Sequence, residues 1–264
     1  MTTSELRPPT APPSARHLLS KVPEVTVYFW IIKVLTTGMG EAAADFLSHR
    51  LAPVIAVGLA GTGLAASVLL QFAVRRYVAW IYWLAVVMVS VFGTLTADGL
   101  RVGLGLSHLV NTVVFVLGLV VVFAAWYAAE RTLSIHSIHT RSREAFYWAT
   151  VMTTFALGTA VGDWTAMSLG WGFLASGVIF TVAITLPWIA HRRFGANAIW
   201  TFWVAYVLTR PVGASFADWM AVPKARGGLD WGTGTVTVAM SIVIAALVGY
   251  LTLTRTDVDS GTED

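Results

Sequence analysis

Apolar residues fill this chain in runs of about 20, the length that crosses a bilayer core, and short polar stretches separate the runs. Eight spans can be drawn, at about 25–47, 51–73, 77–97, 102–128, 145–162, 169–190, 198–217 and 231–253. The odd-numbered spans share a finer pattern. Trp30, Gly40 and Asp45 lie ten and then five residues apart, and the spacing recurs as Trp83-Gly93-Asp98, Trp148-Gly158-Asp163 and Trp203-Gly213-Asp218 without insertion or deletion. A fixed period of this kind marks an internal repeat and decides the fold. With two spans per copy, all four copies enter the membrane in the same direction.

The expected fold class is therefore all-α: a polytopic membrane protein with eight transmembrane helices, arranged as four parallel two-helix repeats around an axis along the membrane normal. The repeats are bounded at 23–75, 76–142, 143–195 and 196–255. A Pro-rich, disordered cytoplasmic tail (1–22) precedes them and a short acidic cytoplasmic tail (256–264) follows. The odd spans carry the polar groups and should gather near the axis. The smoother even spans should face lipid, with glycines such as Gly58, Gly61 and Gly177 allowing close helix approach.

Composition narrows the class. The 264 residues are 56% hydrophobic and 12% charged, with mean hydropathy +0.72; a soluble domain carries about a quarter charged residues. The absence of cysteine excludes disulfides, thiolate chemistry and Cys-based metal centres. The net charge of +3 needs no nucleic-acid partner, because basic residues flanking spans account for it. Arg75, Arg76, Arg131, Arg141, Arg143, Arg192, Arg193 and Arg255 fall on the same face as Arg7, Arg16 and Lys21, whereas the other face holds Arg50, Arg101, Lys224 and Arg226. The positive-inside rule then puts both termini in the cytoplasm. The repeat tryptophans read as anchors at the cytoplasmic interface and the repeat glycines as close-packing positions. The aspartates follow the tryptophans by fifteen residues, about 22 Å along a helix, near the outer end.

The fourfold Trp-Gly-Asp pattern, with the local run Phe29-Trp30-Ile31-Ile32-Lys33-Val34-Leu35-Thr36-Thr37-Gly38-Met39-Gly40-Glu41, resembles a family of bacterial inner-membrane proteins built from four tandem two-helix repeats of unknown function, each marked by a tryptophan. The resemblance covers about 21–254. It implies an eight-span protein of the bacterial inner membrane and carries no activity with it. Pro211 inside repeat four and a longer loop between repeats two and three are departures from the pattern.

Lys33, Thr37, Glu41 and Asp45 are each four apart, which puts them on one helix face. Tyr206, Arg210, Ala214 and Asp218 have the same spacing, and Thr94 with Asp98 and Thr159 with Asp163 complete the set. A charge at the centre of a span costs about 2.5–3.5 kcal/mol on the lenient scale, so Lys33 and Arg210 should turn inward and meet carboxylates. Five carboxylates (Glu41, Asp45, Asp98, Asp163, Asp218) face those two cations. All five cannot sit together ionised, so at least one should hold a proton. This suits a proton-coupled secondary transporter for a small cation, either a metal ion or an organic cation. The five carboxylates would bind substrate or proton, Lys33 and Arg210 would balance charge and exchange partners between states, and Thr37, Thr94, Thr159 and His108 would support.

Blander readings stand beside this one. The aspartates can cap the following helices. Lys33 with Glu41, and Arg210 with Asp218, can be structural ion pairs. His136 and His139 fit a solvated loop. The alternatives for the whole chain are a non-transporting sensor or assembly module and an anion transporter using Lys33 and Arg210. No Ser-His-Asp, HExxH or phosphate-loop pattern is present, so no enzyme and no cofactor are expected. The implied partners are the lipid bilayer and a small-molecule or ion substrate.

Overall fold

The computed structural model describes residues 21–258. Among these residues eight long helices follow one another: α1 (Val27–Arg50), α2 (Pro53–Ala73), α3 (Ala79–Gly103), α4 (His108–Glu130), α5 (Arg141–Asp163), α6 (Phe173–Phe194), α7 (Ala198–Ala221) and α8 (Thr233–Thr254). There is no strand among the described residues. Five helices, α2, α3, α4, α6 and α8, are long and apolar enough to cross a membrane. The other three, α1, α5 and α7, have 24, 23 and 24 residues and are more polar. The chain is a membrane protein by this composition.

Local chemistry sets the boundaries. Thr26, Ser107 and Thr140 cap α1, α4 and α5 through their hydroxyls, and the Asn197 side chain caps α7. The third span runs six residues further than the hydropathy pattern suggests, to Gly103, because nothing breaks the helix before Gly105 at φ +63°. Within α6 the helix is interrupted at Ile184. Pro187 lies three residues on; it has no N–H to give Ala183, and its ring crowds that carbonyl.

Packing between repeats runs in a cycle. Helices α1, α3, α5 and α7 form a ring in which each touches the next and α7 closes on α1. Each even helix packs mainly on the odd helix of the following repeat: α2 on α3, α4 on α5, α6 on α7, and α8 on α1. Outward faces of the even helices expose apolar side chains such as Val54, Leu117, Val182 and Ile242.

Two contacts recur in the same cyclic order. The aromatic residue before each repeat tryptophan packs on the tryptophan of the next repeat: Phe29 on Trp83 at 5.8 Å, Tyr82 on Trp148 at 5.7 Å, Tyr147 on Trp203 at 6.2 Å and Phe202 on Trp30 at 5.8 Å between ring centroids. Each repeat glycine receives the residue three before the next repeat's glycine. Gly40 faces Ser90, Gly93 faces Phe155, Gly158 faces Arg210 and Gly213 faces Thr37, each so close that a Cβ would overlap the neighbour. The repeat glycines are the points of closest helix approach.

Three sequence expectations change. Trp83, Trp148 and Trp203 are buried in the main core and Trp30 is partly buried against it, so they are not interface anchors. Ring-on-ring packing between repeats holds them inside, and the Trp203 indole donates to the Leu133 carbonyl at 2.9 Å. The loop after α4 is only partly solvated. His136 and His139 are exposed, but Leu133, Ile135 and Ile138 are buried beneath the bundle. Finally, Lys21 and Val22 are buried rather than part of a free tail, because the Lys21 ammonium meets the buried Glu144 carboxylate at 2.6 Å. The rest of the expected N-terminal tail, and that of the C-terminal tail past 258, lie outside the described residues.

Candidate functional site

The axis-facing stripes of the odd helices stack in layers. Three residues past each tryptophan come Lys33, Val86, Val151 and Tyr206. Seven past come Thr37, Ser90, Phe155 and Arg210. Eleven past come Glu41, Thr94, Thr159 and Ala214, and fifteen past come the four aspartates. Steps of four residues keep one face of each helix turned inward. All residues in the first three layers are buried.

Arg210 is the centre. Its side chain is fully enclosed, and Nη2 donates to Glu41 Oε2 at 2.6 Å. Nη2 also donates to the Thr159 hydroxyl at 2.8 Å and to the Thr94 hydroxyl. Nη1 donates to the Thr37 carbonyl at 2.6 Å and Nε to the Phe155 carbonyl at 3.3 Å. Both threonine hydroxyls in turn donate to Glu41 Oε2 at 3.3 Å. One guanidinium thus ties together all four repeats. Such a buried pair holds only when its remaining donors are also satisfied, and here they are.

Lys33 is different. Its Nζ is fully buried with no hydrogen-bond partner among the described residues. It lies 3.7 Å from the Phe155 ring centroid and 4.1 Å from that of Tyr206. The ring faces supply the attraction that a carboxylate would otherwise give. The two ion pairs suggested by spacing do not form. Arg210 pairs with Glu41 and not with Asp218, and Lys33 pairs with no carboxylate. The reason is the cyclic closure of the ring: Gly213 brings α7 against α1, so Arg210 reaches across to the first repeat rather than along its own helix.

Above this layer lies a cavity of about 510 Å³. Glu41, Asp45, Asp98, Asp163 and Asp218 all line it. Oxygens of Glu41, Asp45 and Asp98 come within 4.8 Å of one another. Asp163 and Asp218 are 9% and 8% exposed. None of the four aspartates forms a hydrogen bond or ion pair through its carboxylate among the described residues. They do not cap the helices that follow either: the caps are Ala52, Ser107, Gly172 and Gly232. The exposed Ser48, His49 and Arg226 stand at the rim, so the cavity is open at the end away from the Lys21–Glu144 pair.

The supporting residues divide. Thr94 and Thr159 bridge Glu41 and Arg210. Thr37 packs under Gly213 and donates to the Val34 and Thr209 carbonyls at 2.6 and 3.2 Å. His108 is not at the cavity; its Nδ1 lies 3.0 Å from the Ser168 hydroxyl. Spacing alone missed Arg101, Arg226 and His49, which line the cavity from helix ends and a loop. It also missed Phe155, which stands where Arg210 stands two helices away. Aligning the four copies column by column would have found Phe155. Nothing in the repeat marks the rim residues.

A family model described as a Repeat of Unknown Function (DUF347) matches the chain four times, at residues 28–77, 81–132, 146–196 and 201–257. No curated protein and no solved structure matches.

Proposed function

The chain belongs to the DUF347 repeat family, and from the acidic cavity its four repeats enclose we propose that it is a proton-coupled secondary transporter of a small cation. In this reading all eight helices cross the bacterial inner membrane. The four repeats surround an axis along the membrane normal, and both termini lie in the cytoplasm. The Lys and Arg asymmetry supports that orientation. It turns the mouth of the cavity outward.

The observation that carries the proposal is the meeting of five carboxylates in one open cavity, four of them with no partner among the described residues. Carboxylates at membrane depth that serve packing alone are paired; unpaired ones mark an ion or proton pathway. Below them the Arg210–Glu41 layer and the buried aromatic layer close the path, which describes an outward-open state. Lys33, one layer beneath and free of any carboxylate, is placed to receive Glu41 when Arg210 releases it. That exchange would open the lower half. Arg210 spends its donors on Glu41, two hydroxyls and two carbonyls, which favours a cation as cargo over an anion.

The test is flux in proteoliposomes loaded with a pH-sensitive dye. Cation gradients applied to one side should drive proton movement that Asp218→Asn lowers about tenfold or more. If no cation drives protons and no proton gradient drives a cation, the protein is a membrane scaffold or sensor instead.

A further inference from the structure

We infer that Glu41, Asp45 and Asp98 form a binding site for a hard divalent metal ion, which is the cargo. The identity of the cargo rests on the carrier reading above; the site itself does not.

Geometry gives the first argument. Ligand oxygens around one hard divalent ion lie about 2.0–2.6 Å from it, so no two are more than about 5 Å apart. The oxygens of Glu41, Asp45 and Asp98 meet this condition mutually, all within 4.8 Å. An organic ammonium needs no such convergence and is usually held against ring faces. Among the described residues lining this cavity, Phe173 is the one Phe, Tyr or Trp. The donors are carboxylate oxygens, and the chain has no cysteine, which selects hard over thiophilic ions.

The second argument is independent of the three-oxygen cluster. Asp163 and Asp218 are more than nine-tenths buried, line the same cavity and have no hydrogen-bond or ion-pair partner among the described residues. Buried carboxylates of this kind persist only where something neutralises them. Five carboxylates face three guanidinium groups, Arg101 and Arg226 in the lining and Arg210 beneath Glu41. Carboxylates outnumber these guanidinium groups, and a divalent ion would offset the excess.

The experiment uses purified protein in detergent and Mn²⁺ alone as the probe, followed by loss of the free-ion paramagnetic signal. We expect saturable binding of one ion per chain at or below about 1 mM, the weak end for oxygen sites. Ca²⁺ or Mg²⁺ should compete and choline should not. Asp45→Asn and Asp98→Asn should each weaken binding about tenfold or more, on the scale of lost metal-site groups, and leave the melting temperature unlowered. Glu41→Gln is set aside because it also breaks the Arg210 pair. No saturable Mn²⁺ binding, binding that survives the Asp45/Asp98 double variant, or displacement by choline would each overturn the site. Proton-linked flux of an organic cation without Mn²⁺ binding sinks the site and leaves the carrier. Metal binding without flux does the reverse.

Discussion

The Glu41 carboxylate lies 2.6 Å from the Arg210 guanidinium, joining the first repeat to the last through the middle of the bundle. Neither group reaches solvent to any useful extent, at 5% and 0% side-chain exposure. Removing one partner of a buried pair costs about 3–5 kcal/mol because the other charge stays behind. Glu41→Gln and Arg210→Gln should each lower the melting temperature in detergent sharply. The double variant should lose less than the two singles combined, and a double-mutant cycle on thermal unfolding measures the coupling. Strict additivity would mean the pair is incidental to stability.

How much of this was legible beforehand is clear from the same two residues. The period exposed the stripes, the ring-facing glycines and the polar layer, because helical spacing and membrane cost act on any sequence alike. The partner of Arg210 was not legible. Spacing favours Asp218, eight residues along the same helix. The true partner depends on α7 closing against α1, a contact more than 150 residues away in the chain. The tryptophans misled for a related reason. A tryptophan near a span's end suits a lipid headgroup or a protein core equally, and only the preceding aromatic of the neighbouring repeat decides.

Lys33 carries a second prediction. Its ammonium is fully buried and makes no hydrogen bond among the described residues, so replacing it with an apolar side chain of similar length removes a desolvated charge. Lys33→Met should raise the melting temperature and at the same time reduce proton-linked flux, since the exchange partner for Glu41 is gone. A stabilised variant with full flux would confine Lys33 to a structural role.

Glycine substitutions test the cyclic packing. A methyl at Gly158 would overlap the Arg210 side chain and stand 3.1 Å from Pro211 Cδ, whereas one at Gly58 or Gly99 meets nothing. Gly158→Ala should destabilise by about 1–3 kcal/mol, as overpacking does, and the two outer substitutions should not. Equal melting temperatures for all three would contradict the close approach of α5 and α7.

A pH dependence follows from the end of the bundle opposite the cavity. The Tyr77 hydroxyl donates to Asp257 Oδ2 at 2.5 Å. Burial pushes the Asp257 carboxyl above the usual carboxylate range, partly offset by the bonds from Tyr77 and the backbone. A carboxyl whose folded value is raised contributes stability that is complete below its unfolded value, about 3.9, and that is lost as pH rises through the folded value. Unfolding midpoints measured upward from about pH 4 should therefore show a falling contribution that Asp257→Asn removes. Burial and the neighbouring Asp257 raise Tyr77 in the same sense, so Tyr77→Phe should remove a second loss above about pH 10.

The aspartates separate a carrier from a scaffold. Asp163 and Asp218 are nine-tenths buried, yet their carboxylates bond to nothing among the described residues. If they held the bundle together, Asp163→Asn and Asp218→Asn would lower the melting temperature by removing a contact. Here there is no contact to remove, and neutralising a buried unpaired carboxylate relieves crowding among five acids. Both variants should melt at or above the wild-type temperature. On the carrier reading, proton-linked cation flux should nevertheless fall about tenfold or more, because a proton exchanged for the cation there would no longer have a site; loss of one positioned proton-transfer group commonly costs at least 10² in rate. Stability and flux would then move in opposite directions, which a structural role does not allow. If both variants unfold early and the remaining folded protein transports normally, the acids belong to the architecture and the cavity has no part in transport.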